Sequence, residues 1–80
     1  MQNNLSVSIL KAVKDYTAEH KFPPSIRDIK SITDYGSTGG IYVYLRKLEN
    51  QGYITRQPLS HRSIVITEKG RSHLDVVERL

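Results

Sequence analysis

Eighty residues, 38% hydrophobic and 25% charged, suffice for one small domain with a modest core, here taken as 1–80. The absence of cysteine excludes a disulfide framework and any thiolate metal site, no apolar run nears the roughly 20 residues of a membrane span, and no signal-like stretch opens the chain, so a cytoplasmic location is expected. The net charge of +4 falls within 21–67, where Lys21, Arg27, Lys30, Arg46, Lys47, Arg56 and Arg62 face only Asp28, Asp34 and Glu49.

Leu5, Ile9, Val13 and Tyr16 form one apolar stripe, which predicts a helix over 5–20 capped by Asn3 or Asn4. Pro23 and Pro24 end it, because residues before proline are pushed out of the helical region. Ser25 opens a second, short helix: its hydroxyl suits the Asp28 amide, and Asp28 suits the positive helix start. Ile26, Ile29 and Ile32 are expected to face inward, and the helix closes by Thr33-Asp34-Tyr35-Gly36.

Ser37 or Thr38 caps a third helix running to about Gln51, with Gly52 as a left-handed stop. Tyr53–Arg56 and Arg62–Thr67 read as two strands joined by Gln57-Pro58-Leu59-Ser60-His61. A terminal helix over 68–79 follows a core of 5–67, with Leu74, Val77 and Leu80 on one side. The order α-α-α-β-β-α, mainly α with a small β-hairpin, is that of a winged helix-turn-helix. The commonest use of that shape is to lay one helix in the major groove of duplex DNA.

The third helix carries the strongest functional signal. At about 100° per residue, Ile41, Leu45 and Leu48 share a core side with Tyr44 at its edge. Opposite lie Gly39, Val43, Arg46 and Asn50, flanked by Tyr42, Lys47 and Gly40. Glycine costs about 1 kcal/mol in a helix interior, so Gly39-Gly40 asks for a reason. Close approach to bases or phosphates is one, and a frayed helix start is the other. In the first case Val43 would touch thymine methyls, Arg46 a guanine or phosphate, and Ser37 and Thr38 the phosphate backbone. Arg27 and Lys47 add positive charge beside this face, and His61 and Arg62 in the wing suit phosphates.

The stretch 22–66 resembles the N-terminal DNA-binding domain of the LexA repressor family. The resemblance rests on Phe22-Pro23-Pro24-Ser25-Ile26-Arg27-Asp28-Ile29, on Ser37, on Leu45-Arg46-Lys47-Leu48-Glu49, on Gly52-Tyr53-Ile54-Thr55-Arg56, and on Arg62-Ser63-Ile64. It implies a winged helix whose third helix reads a major groove while the hairpin wing, 53–67, touches the backbone. It also places Ser37, Gly39, Gly40, Tyr42 and Val43 where such proteins contact DNA. This sequence departs from the family at Gly39, Tyr42 and Val43, where polar side chains are usual, so an operator sequence does not transfer. The family's self-cleaving protease domain has no counterpart in these residues. Ile66-Thr67-Glu68-Lys69-Gly70-Arg71 instead resembles the strand-to-helix junction of winged-helix regulators of the MarR and PadR groups.

Catalysis finds no support. His20, His61 and His73 lie in different elements without ligand spacing, and no serine sits in a nucleophile elbow. No cofactor, metal or small-molecule ligand is expected. The expected function is sequence-specific binding of double-stranded DNA by a bacterial or phage repressor, with a weak homodimer through Leu74, Val77 and Leu80. The alternative is a winged-helix module for protein or RNA, which the outward Tyr42 and Val43 would favour.

Overall fold

The computed structural model describes residues 5–34, 36–57 and 62–79. The element order is α1 (Leu5–His20), α2 (Ile26–Thr33), α3 (Thr38–Asn50), β1 (Ile54–Thr55), β2 (Val65–Ile66) and α4 (Glu68–Arg79). The expected Asn3 or Asn4 cap lies outside the described residues, as do Tyr35, His61 and Leu80. No helix among the described residues is long and apolar enough to cross a membrane.

Each helix boundary has a local cause. At the end of α1, Lys21 turns left-handed (φ 68°) and its amide donates to the Thr17 carbonyl at 2.9 Å, just ahead of the proline pair. Ser25 and Asp28 form a reciprocal capping box: the Asp28 amide donates to Ser25 Oγ at 3.2 Å, and the Ser25 amide to Asp28 Oδ2 at 2.9 Å. Such a cap satisfies two amides that the first helical turn cannot. Asp34, also left-handed, closes α2, and Ser37 Oγ accepts from the Gly40 amide at 3.2 Å to open α3. Gly52 supplies the left-handed residue after α3 (φ 81°) as the sequence anticipates.

The core joins Ile9, Leu10 and Val13 of α1, Ile29 of α2, Ile41, Leu45 and Leu48 of α3, the hairpin isoleucines 54, 64 and 66, and Leu74 of α4. Every element lends one face to a single apolar cluster, which is how so short a chain makes a core. Two expectations need correction. Ile32 does not face inward but is 53% exposed, because it lines the open groove between α1 and α2 instead of meeting the core. Leu74 is fully buried against the monomer core, so it offers nothing to a dimer contact. Val77 is only half-buried.

The strands are two residues each, shorter than the 53–56 and 62–67 of the sequence reading. Ile54 pairs with Ile66 and Thr55 with Val65, antiparallel, so the two isoleucines point inward together. The next hydrogen-bonded rung in the same register, two residues beyond Thr55 and Val65, is made by a side chain. The Gln57 amide donates to Ser63 Oγ at 2.9 Å, and that hydroxyl donates to the Gln57 carbonyl at 3.2 Å. Hydroxyl chemistry therefore extends the hairpin where the backbone ladder stops.

The junction of hairpin and α4 is closely packed. The Thr67 amide donates to the Tyr53 carbonyl at 3.0 Å, Thr67 Oγ1 donates to the Gly52 carbonyl at 2.6 Å, and the Gly70 amide donates to Thr67 Oγ1 at 3.0 Å. Gly70 is buried at this point, and a Cβ there would overlap the Tyr53 carbonyl oxygen and stand 2.8 Å from Ile66 Cγ1.

Candidate nucleic-acid interface

Ile41, Leu45 and Leu48 anchor α3, which turns the opposite face outward as its periodicity requires. Tyr42 is 50% and Val43 54% exposed; Gly39, Arg46 and Asn50 are exposed beside them. The helix begins at Thr38, not at Ile41, so the glycines are not a frayed start: both lie within the first helical turn. A Cβ at Gly39 would meet only Ser37 Oγ, at 3.6 Å, an ordinary contact. Nothing among the described residues therefore requires glycine at 39.

The start of α3 is chemically open. Ser37 Oγ takes the Gly40 amide and the Ser37 carbonyl takes the Ile41 amide at 3.2 Å, while the Thr38 and Gly39 amides precede any intrahelical acceptor. These amides, the Ser37 and Thr38 hydroxyls and the helix dipole together suit an oxyanion such as a phosphate. Arg27 and Arg46 are exposed and form no ion pair among the described residues. Lys47 lies 5.5 Å from the Tyr44 ring centroid and remains exposed.

Arg56, counted from the sequence only among the basic residues of 21–67 and in the motif after α3, belongs to this face too. Its Nε lies 3.3 Å from Glu49 Oε1, and its guanidinium lies 5.7 Å from the centre of the Tyr42 ring. The link joins the end of α3, the hairpin and an outward side chain of the first α3 turns. A cation against an aromatic face contributes about 0.5–1 kcal/mol at an exposed site, enough to bias one ring orientation.

Arg62 sits otherwise than a free wing cation would. Its Nη1 donates to Asp28 Oδ2 at 2.9 Å, to the Tyr16 hydroxyl at 3.2 Å and to the Pro23 carbonyl at 3.2 Å, and the guanidinium lies 4.9 Å from the centre of the Phe22 ring. Phe22 in turn packs edge-on to Tyr16, with His20 alongside. The Ser25 backbone amide, then the hydrogen bonds of the Ser25 and Tyr16 hydroxyls and the Arg62 charge, hold the Asp28 carboxyl below its ordinary value against the opposing effect of burial. One arginine thus ties the wing to α1, to the proline turn and to the cap of α2. Its charge is offset by Asp28, so its phosphate attraction is weaker than that of Arg46.

The structure therefore brings Ser37, Thr38, Gly39, Gly40, Tyr42, Val43, Arg46 and Lys47 onto one helix and places Arg27 on the neighbouring α2. A separate groove of about 540 Å³ runs between α1 and α2, lined by residues that include Lys11, Asp15, Glu19 and His20 but none of α3 or the hairpin. Three of these side chains already have partners: Lys11 Nζ lies 3.5 Å from Glu78 Oε2, and His20 Nε2 lies 3.6 Å from Glu19 Oε1 within the groove.

Four helices, a two-stranded wing and a third helix with an open start and an exposed, basic second half define a winged helix-turn-helix domain. The LexA DNA binding domain family matches residues 6–63, and the chain belongs to that family. Among relatives, the LexA repressor of Lactobacillus johnsonii is 38% identical over 73 residues, covering 91% of this chain and 35% of the relative. That of Moorella thermoacetica is 41% identical over 69 residues, covering 82% and 34%. The LexA repressor of Anaeromyxobacter dehalogenans is 32% identical over 68 residues, covering 85% and 30%. The chain spans about a third of the length of the curated relatives it matches, and the matched third is their DNA-binding part.

Proposed function

We propose that this domain binds duplex DNA sequence-specifically as the reading head of a bacterial transcriptional repressor. α3 lies in the major groove, and the wing over 53–67 approaches the backbone. The observation that carries the reading is the outward face of α3: small residues and open amides at its start, Tyr42 and Val43 half-exposed, and Arg46 free of intramolecular pairing among the described residues. Ser37, Thr38 and the first-turn amides hold phosphate, Gly39 and Gly40 permit close approach, and Tyr42, Val43 and Arg46 meet base edges. Arg27 and Lys47 add backbone attraction, and Arg62 sets the wing's position.

Pairing of two domains on adjacent half-sites runs, in this reading, through the half-buried Val77 side of α4 and not through Leu74, which the core consumes. Measuring mass in solution with and without DNA tests it.

Selection from a random-sequence duplex pool at two salt concentrations tests the function itself. Enrichment of a motif supports sequence readout, whereas a steep salt dependence without enrichment would reduce the domain to a charge-driven binder. Binding to single-stranded RNA or to protein with no duplex affinity would overturn the reading.

A further inference from the structure

The first two turns of α3 present an unusual chemistry for base readout. Hydrogen-bond readout relies on amide, carboxylate or guanidinium groups near the start of the helix. Here the exposed positions of α3 before Arg46 are Thr38, Gly39, Tyr42 and Val43, which carry hydroxyls at Thr38 and Tyr42 but neither amide nor charge. What Tyr42 and Val43 add is apolar surface, the ring and the two methyl groups: each is about half exposed, and the two stand about 100° apart on the outward part of the helix.

That surface is held stiffly. A valine in a helix has one dominant χ1 rotamer, so its two methyl groups point in a fixed direction at little entropic cost. The Tyr42 ring rests against the Arg56 guanidinium, which Glu49 anchors in turn. Two rigid apolar probes on a groove-facing helix need an apolar counterpart. Thymine is the base that supplies one on the major-groove edge, through its 5-methyl group.

Building on the DNA-binding reading above, we infer that Val43 and Tyr42 are specificity-determining residues that recognise thymine 5-methyl groups. Arg56 acts as a positioning residue for the Tyr42 ring. The preferred site then contains at least one thymine beneath the first two turns of α3, next to the base pair or phosphate that Arg46 meets one turn later.

The test uses the selected duplex with deoxyuridine replacing thymine one position at a time. This deletes only the methyl group and leaves the protein and the base pairing intact. Removal at one or two positions is expected to weaken binding about fourfold each, the worth of one buried methyl-sized group. The same replacements should cost nothing further against Val43→Ala or Tyr42→Ala, whichever side chain covers that methyl. Arg56→Gln should reduce the penalty at the Tyr42 position and spare the Val43 position, a pattern that a general loss of stability would not produce.

A selected site whose uracil forms all bind like the parent would overturn the inference while leaving sequence-specific binding intact. So would a uracil penalty that persists unchanged in both alanine variants, because DNA stiffness alone would then account for it. Failure to select any site would remove the DNA-binding reading and this inference with it.

Discussion

Replacing Gly70 by alanine should destabilise the domain even though alanine is the better helix former. Gly70 lies in the first turn of α4, where the helix comes closest to the hairpin. The added Cβ would overlap the Tyr53 carbonyl oxygen and stand 2.8 Å from Ile66 Cγ1. A backbone carbonyl cannot rotate aside as a side chain would, so α4 must move away as a body. The move strains the 3.0 Å bond from the Thr67 amide to the same Tyr53 carbonyl and opens the contact of Leu74 with the core. Overpacking of this kind costs about 1–3 kcal/mol and a weakened hydrogen bond about 1 kcal/mol more, while helix propensity returns about 1 kcal/mol. The net loss is about 1–3 kcal/mol. In a domain of this size each kcal/mol shifts Tm by roughly 4–8 °C, so a fall of about 5–20 °C is expected by circular dichroism or calorimetry. Urea titration should show a lower midpoint with an unchanged slope, because the surface exposed on unfolding is the same. An unchanged or raised Tm would refute the reasoning and mean that the junction gives way without cost.

Gly39→Ala makes the opposite case: it should hold or raise Tm, by up to about 1 kcal/mol of stability, while weakening binding to the selected duplex, and unchanged affinity would reject close approach at this position. Arg46→Ala should weaken specific binding by about 1–3 kcal/mol and Lys14→Ala, from α1, far less; equal effects in a titration would remove Arg46 from the reading face. Arg62→Ala should weaken binding by loosening the wing while changing the salt slope by well under the roughly one unit of a lost phosphate contact, so a full-unit change would return Arg62 to the DNA backbone. Asp28 is held below its ordinary value of 3.8, so the stability it contributes is complete above that value and is lost as pH falls through the lowered folded-state value. Melting curves taken downward from about pH 5 should show this acid loss in the parent and a shallower one in Asp28→Asn; parallel curves would mean that the carboxylate contributes nothing through its charge.

Residue order alone was enough to place the elements and the outward face of α3. Those features are written locally: the proline pair after α1, the Ser25–Asp28 cap, Ser37 ahead of the glycines, Gly52 at the left-handed stop, and an apolar period with one interpretation. Local signals also misled where the packing of two helices decided the outcome. Ile32 continues the pattern of Ile26 and Ile29, yet it lines the open groove between α1 and α2 and stays exposed. Which outward charges stay unpaired among the described residues follows from how the elements pack. Arg46 and Arg62 look alike in one dimension, but the fold brings Asp28, Tyr16 and the Pro23 carbonyl, all more than thirty residues away, onto one nitrogen of Arg62 and leaves Arg46 to solvent. Gly39 and Gly70 likewise differ only in what stands opposite: for Gly39 its own cap at an ordinary contact distance, for Gly70 the carbonyl of Tyr53. A capping bond joins residues three apart and can be read from their order. An ion pair, or a close approach between helix and hairpin, depends on how separate elements pack on the shared core, and no local pattern encodes that distance.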